Sequence, residues 1–328
     1  MRPNIYVTRS LPQPALDKMK EAGFDFDVFP EDRVIPHDIF LKEVENRDGI
    51  LCILTDTINK DVFDKAREAK IFANYAVGYN NIDIEEASKR GIAITNTPGV
   101  LTDATADLAW ALLFASARRI AESDLFLREG KFEGWGPQLL MGQEITGKTL
   151  GIIGLGRIGR AFAQRAAAFR MKIQYFSNSR NEEFEKSYPY ETKFVNLDKL
   201  LSTSDFVSLH VPLKPETTHL IGERELKLMQ PHAILINTAR GPIVDEAALV
   251  KALSEKWIWS AGLDVFEKEP KVHPDLIKLP NTVLLPHLGS ATIETRTKMG
   301  LIAVQNLVEF FDGKSPTNLV NTNFLKNK

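Results

Sequence analysis

TLGIIGLGRIGRAFAQ, residues 149–164, decides the fold of this chain. The apolar run Leu150–Ile153 reads as a buried strand, and Gly154, Gly156 and Gly159 follow as G-x-G-x-x-G at the start of a helix. Gly154 permits a tight turn, Gly156 lets backbone approach a pyrophosphate, and Gly159 lets the helix pack closely on the strand. Ile158, Phe162, Ala166 and Phe169 then recur at helical spacing, giving the helix an apolar face to lay on a sheet. Its N-terminus adds free N–H groups and a partial positive charge. The turn therefore predicts a dinucleotide site at Gly154, Leu155, Gly156, Arg157, Ile158 and Gly159.

Further strands are expected on the C-terminal side at Lys172–Phe176, Asp205–His210, Ala233–Asn237, Ser260–Phe266 and Val283–Leu285. Helices between them are expected at Arg157–Phe169, Leu197–Ser202, Glu223–Met229 and Asp245–Glu255. On the N-terminal side, strands at Asn4–Thr8, Phe24–Phe29, Gly49–Leu54, Ile71–Ala76 and Ile92–Thr95 alternate with helices at Pro14–Ala22, Asp38–Asn46, Lys60–Ala69 and Ile84–Arg90. Alternation of this kind predicts α/β architecture with two doubly wound parallel-sheet domains, the first flavodoxin-like and the second a Rossmann cofactor domain. One long helix from Thr102 to Gly130 is expected, with Ala106, Trp110, Leu113, Ala117 and Ile120 on an apolar face, joining domains or meeting a partner chain. A last helix from Thr292 to Phe311 is expected, and beyond Pro316 a loose tail that either stays free or returns to the first domain.

At 328 residues the chain has room for about two domains. Its 41 basic and 43 acidic residues nearly balance, and no basic run marks a nucleic-acid or anionic-membrane surface. No apolar stretch approaches the ~20 residues that span a bilayer, and the N-terminus has no signal-like segment. The single cysteine, Cys52, lies in the apolar run GILCIL and reads as a buried structural thiol; no metal motif is present. A cytoplasmic protein is expected.

The end of the second Rossmann strand chooses between dinucleotides. An acid about 20 residues after the glycines would bind the ribose 2′-hydroxyl of NAD. Here that place holds Ser177, Asn178, Ser179 and Arg180. No acid repels a 2′-phosphate, and Arg180 supplies a charge and a donor fork. NADP(H) is expected as the preferred cofactor, with NAD(H) as the alternative.

Arg240 in ILINTARGPIVDEAAL, Glu269 in AGLDVFEKEP and His287 in VLLPHLGSAT each follow an apolar run, so all three belong at strand ends, where open α/β sheets bind ligands. A guanidinium suits the carboxylate and carbonyl oxygens of a 2-oxo acid. A carboxylate beside imidazole favours imidazolium, which makes His287 a general acid for carbonyl reduction. Asp264 reaches the same sheet edge, His210 lines the cofactor cleft or packs, and the other histidines (37, 219, 232 and 273) lack such companions.

GIIGLGRIG, INTARGPIVDEAAL, AGLDVFEKEP and LLPHLGSAT together resemble, in order and over nearly the whole length, the D-isomer-specific 2-hydroxyacid dehydrogenases. GILCILTD, AVGYNNID, NTPGVLTDATADLA and FSNSR resemble most the glyoxylate/hydroxypyruvate reductases of that family. The resemblance implies a substrate domain of residues 1–100 plus 288–328, a cofactor domain of 101–287, and a homodimer built around the latter. It implies that Arg240 orients a small 2-oxo or 2-hydroxy acid, that His287 donates the proton, and that Glu269 supports His287. Val77 and Gly78 would bind the substrate carboxylate through their N–H groups, and Leu54 would shape the side-chain pocket or simply pack. Cofactor contacts are implied at Pro212, Thr238, Ala239, Asp264, His287 and Gly289, besides the glycine turn and the loop Ser177–Arg180. The expected reaction is reduction of glyoxylate to glycolate and of hydroxypyruvate to D-glycerate, in a cleft whose closure excludes water. Rivals are another D-2-hydroxyacid dehydrogenase, a related formate or phosphite dehydrogenase, and a dinucleotide-sensing binding protein; formate enzymes of this kind carry glutamine where this chain has Glu269.

Overall fold

The computed structural model describes residues 2–322. They form two compact units, one of residues 2–101 with 291–322 and the other Thr102–Ser290. No helix among the described residues is long and apolar enough to cross a membrane.

The first unit is built on strands β1 (Asn4–Val7), β2 (Asp25–Val28), β3 (Gly49–Ile53), β4 (Ile71–Tyr75) and β5 (Ala93–Thr95). Every pairing is parallel, in the order β2-β1-β3-β4-β5, the flavodoxin-like arrangement. Helices cover both faces, so strands such as GILCI are apolar along their whole length. Cys52 is fully buried, and burial pushes its thiol well above the ordinary range. Helix Ile293–Phe311 returns to this unit and buries Ala303, Val304 and Leu307 against Ile5, Val7 and Met19. The tail beyond Pro316 returns to this unit, one of the two expectations, and as far as residue 322 it is bonded rather than loose. Asn96 donates its N–H to Asn318 O at 3.3 Å, Val320 to Ile94 O at 2.8 Å, and Ile94 to Asn321 Oδ1 at 2.9 Å. Edge strand β5 supplies the unpaired backbone groups that this segment satisfies; residues 323–328 lie outside the described residues.

The second unit holds β6 (Thr149–Ile153), β7 (Lys172–Phe176), β8 (Thr192–Phe194), β9 (Phe206–Leu209), β10 (Ile234–Asn237), β11 (Ser260–Leu263) and β12 (Thr282–Leu284). The sheet is wholly parallel, ordered β12-β11-β10-β9-β6-β7-β8. Strand order reverses between β6 and β9, the switch point at which such sheets bind ligands. The short edge strand β8 and helix Glu182–Ser187 have sequences too polar to be read in advance.

The long helix expected over Thr102–Gly130 is two helices, Thr102–Ala117 and Ile120–Arg128. Gln143 donates its N–H to Ala117 O at 2.7 Å, and a Cβ at Gly142 would lie 2.3 Å from that same oxygen. The returning segment takes a carbonyl that a continuing helix would need, and Arg119 turns left-handed at φ 52°. The first helix is buried on several sides, as its sequence implied. Trp110 donates Nε1–H to Phe162 O at 2.9 Å and packs its ring at 5.0 Å from Phe162 and 5.1 Å from Phe169.

Candidate active site

Each of the three strand-end residues is fixed by backbone geometry in its own turn. Arg240 follows β10, where Asn237, 1% exposed, accepts Ala239 N–H on Oδ1 and donates Nδ2–H to Arg240 O, both at 3.0 Å. Gly241 comes next because a Cβ there would sit 1.8 Å from Phe266 O. The turns bearing Arg240 and Glu269 are thus in backbone contact. Arg240 is half-buried; burial lowers its guanidinium from the ordinary value, and the Glu269 charge opposes that shift.

Glu269 stands beyond β11, its Oε1 accepting Phe266 N–H at 3.0 Å and its Oε2 lying 2.8 Å from His287 Nδ1. Burial pushes this carboxyl up, but the hydrogen bond and charge of His287, the Phe266 N–H and Arg240 outweigh it and hold it below its ordinary value. An ionised carboxylate can only accept, so Nδ1 carries hydrogen and Nε2 is the nitrogen left to exchange a proton.

His287 lies beyond β12 at φ 57°, a left-handed conformation uncommon for residues other than glycine. Asp264 enforces it. This fully buried side chain accepts Leu288 N–H on Oδ1 at 2.6 Å and Gly289 N–H on Oδ2 at 2.8 Å, while Asp264 O accepts His287 N–H at 2.9 Å. Thr105 donates to Gly289 O at 3.1 Å from the neighbouring helix. Burial raises the Asp264 carboxyl, against the pull of these amides and of His287. Both Asp264 carboxylate oxygens thus hold the histidine turn.

Strands β10, β11 and β12 are adjacent in the sheet, which brings Arg240, Glu269 and His287 to neighbouring ends. Two of the remaining histidines, His219 and His232, do have acidic companions, contrary to expectation. His219 Nε2 lies 2.9 Å from Glu267 Oε1 and His232 Nε2 lies 2.7 Å from Asp205 Oδ1. These partners stand 48 and 27 residues away, beyond reach of local pattern. Glu267 also donates its N–H to Oε1 of buried Glu246 at 2.6 Å and accepts Glu246 N–H on Oε2 at 3.4 Å, and His219 N–H reaches Pro242 O at 2.8 Å. His219 therefore ties the Arg240 turn to the Glu269 turn. His210 packs on Phe162 and meets Ser208, and burial pushes its imidazole down to about 3.

The cofactor turn fits a dinucleotide. Gly154 has φ 99°, and a Cβ there would lie 2.7 Å from His210 O across the switch point; a Cβ at Gly159 would lie 2.1 Å from Gly154 O. Beyond Gly156 there is open space within 4 Å, ahead of the helix Arg157–Ala166. Leu155 is buried, Ile158 half-buried and Arg157 exposed. Thr238 Oγ1, buried after β10, has no hydrogen-bond partner among the described residues. Ala239 is half-buried beside it, and Pro212 stands exposed after β9. Ser177, Asn178, Ser179 and Arg180 follow β7; Arg180 binds Glu185 rather than solvent alone, with Nη2 to Oε2 at 2.7 Å.

Leu54, Val77 and Gly78 belong to the first unit, at the carboxyl ends of β3 and β4. Asn96 donates to Val77 O at 2.8 Å and Asn74 to Gly78 O at 3.1 Å. Both carbonyls are thus held, while neither N–H has an acceptor among the described residues, a backbone arrangement suited to an anion.

Residues 110–289 match the model of the D-isomer specific 2-hydroxyacid dehydrogenase NAD binding domain. The chain is 51% identical to a glyoxylate reductase of Thermococcus litoralis, covering 99% of this chain and 98% of the relative. It is also 51% identical to that of Pyrococcus horikoshii over the same shares. Among solved structures it resembles an NADPH-dependent glyoxylate/hydroxypyruvate reductase from Sinorhizobium meliloti in complex with NADP and malonate, with a TM-score of 0.85 and 33% identity over 99% of this chain and 98% of that one. Its two parallel sheets, its glycine turn and these relatives agree: the chain belongs to the D-isomer specific 2-hydroxyacid dehydrogenase family.

Proposed function

We propose that this enzyme reduces glyoxylate and hydroxypyruvate with NADPH in preference to NADH. The 2.8 Å pair of Glu269 and His287, beyond the consecutive strands β11 and β12 that continue the sheet from β10 and Arg240, carries the reading. A nicotinamide dinucleotide, when bound, supplies the hydride. The Gly154–Gly159 turn and Thr238 would hold it, with Ser177–Arg180 at the ribose. Val77 and Gly78 offer N–H groups to the substrate carboxylate, and Leu54 borders the side-chain pocket. Arg240 holds the 2-oxo acid and stabilises negative charge developing on the carbonyl oxygen. His287 Nε2 delivers a proton to that oxygen, and Glu269 keeps the ring oriented through Nδ1. The carbonyl carbon gains a hydride and its oxygen a proton, giving glycolate or D-glycerate. Named reductases among the relatives support this substrate class.

Initial rates with glyoxylate, hydroxypyruvate and pyruvate, each with NADPH and NADH, test the proposal. Fast reduction of either of the first two with NADPH is expected. Faster turnover with NADH would overturn the cofactor preference, and absence of turnover on all three would overturn the activity.

The same reading makes the protein a homodimer. In helix Ile120–Arg128 and the segment after it, Leu125, Leu127 and Trp135 are 56%, 60% and 85% exposed. These exposed apolar side chains are the surface we assign to a second copy of the chain. Light scattering should give twice the 36.8 kDa chain mass, and a monomer at micromolar concentration would refute it.

A further inference from the structure

We infer that Glu185 sets how strongly the cofactor loop distinguishes NADPH from NADH, by neutralising Arg180. The inference rests on the reading of Ser177–Arg180 as the subsite for the ribose 2′-phosphate.

Arg180 is the one cation of the loop FSNSR, and its side chain is 59% exposed. Its guanidinium lies side-on against Glu185, with Nε 3.0 and 3.1 Å from the two carboxylate oxygens and Nη2 2.7 Å from Oε2. Glu185 sits one turn into helix Glu182–Ser187, whose N-cap Asn181 accepts Phe184 N–H at 2.9 Å. Its side chain is only 12% exposed because Tyr175, a fully buried residue of β7, donates its hydroxyl to Oε1 at 2.6 Å. The same hydroxyl accepts Asn181 N–H at 2.8 Å, so strand, loop and helix are locked around this carboxylate. Glu182 and Glu183, also in the first turn, point elsewhere: both are exposed, and Glu182 pairs with Lys186 at 3.7 Å.

Two consequences oppose each other. Side-on pairing holds the guanidinium in one place and leaves Nη1 with no partner among the described residues, ready for a further acceptor. It also cancels most of the charge that Arg180 would present to a phosphate dianion. NADH has no phosphate at that position, so the cancellation bears on NADPH alone. No acid stands at Ser177 to bind a ribose 2′-hydroxyl; the acid is instead displaced by eight residues, onto the arginine. The arrangement makes an enzyme that accepts both cofactors with a moderate preference for NADPH.

Glu185→Gln keeps the shape and the acceptor oxygen for Tyr175 and removes the charge. Dissociation constants for NADPH and NADH, measured by calorimetry without substrate, are compared in wild type, Glu185→Gln and Arg180→Ala. Glu185→Gln is expected to tighten NADPH by about 3–10-fold and leave NADH nearly unchanged, with the gain shrinking at high salt. An unchanged or lowered NADPH/NADH affinity ratio overturns the inference, including the case in which both affinities fall together through loss of structure. Arg180→Ala separates this from the underlying reading. If it lowers the ratio while Glu185→Gln does nothing, only the role of Glu185 fails. If Arg180→Ala leaves the ratio intact, the loop is not the phosphate subsite and both fail.

Discussion

His287→Asn is expected to lower kcat for glyoxylate by about 10²–10⁴-fold, while the Kd for NADPH changes far less. Asparagine is the informative replacement because position 287 has φ 57°, a conformation that asparagine tolerates and alanine or a β-branched residue does not. The backbone bonds that define the turn, from Leu288 and Gly289 to Asp264 and from His287 N to Asp264 O, do not involve the ring and survive. What disappears is the proton at Nε2 and the partner of Glu269. A kcat within about tenfold of wild type would remove His287 as the proton donor.

The Glu269 carboxyl, held below its ordinary 4.5, sets the acid limit of this pair. A group with a lowered folded pKa stabilises the fold above its unfolded value and loses that contribution as pH falls through the folded one. The pair therefore persists through the neutral range and breaks only under acid conditions. In Glu269→Gln the amide keeps an oxygen for Nδ1–H but not the carboxylate charge, so kcat should fall while the Kd for NADPH changes little.

Most of the frame was legible because buried parallel strands are apolar on both faces. Runs such as GILCI, TLGII and ILIN stand out against their polar turns, and their boundaries fall within a residue or two of expectation. The placement of the three strand-end residues was legible for the same reason, since each follows an apolar run. What escaped depended on distant neighbours. The break after Ala117 is made by Gln143 and Gly142, and the polar edge strand Thr192–Phe194 has no apolar pattern to announce it. The partners of His219 and His232 come from other strand ends. Asn237 had a signal, a polar amide closing the apolar strand ILIN, but its role in holding the Arg240 turn needs the turn to be seen. The pairing of Arg180 with Glu185 also escaped, because it requires knowing that a helix follows.

Gly241→Ala is expected to lower kcat/KM by about 10²-fold or more, through displacement of groups it never touches. The added Cβ would lie 1.8 Å from Phe266 O, 1.9 Å from Phe266 C and 2.4 Å from Glu267 N. All three are backbone atoms, so no side chain can rotate away, and the two turns must separate by more than an ångström to reach ordinary contact. Neither turn moves alone. The Arg240 turn is held through Asn237, and the other through the reciprocal bonds of Glu246 and Glu267 and the hydrogen bond of Glu269 to Phe266 N. Overpacking at such a crossing also costs about 1–3 kcal/mol of stability, visible as a lowered Tm. Because Arg240 and Glu269 stand on opposite sides of the crossing, separation pulls the guanidinium proposed to hold substrate away from the Glu269–His287 pair. Loss of kcat and a rise in KM should therefore appear together, whereas simple destabilisation would lower Tm and leave the kinetics of the folded fraction intact. A variant with normal kinetics and normal Tm would mean that the two turns do not meet as closely as Gly241 implies.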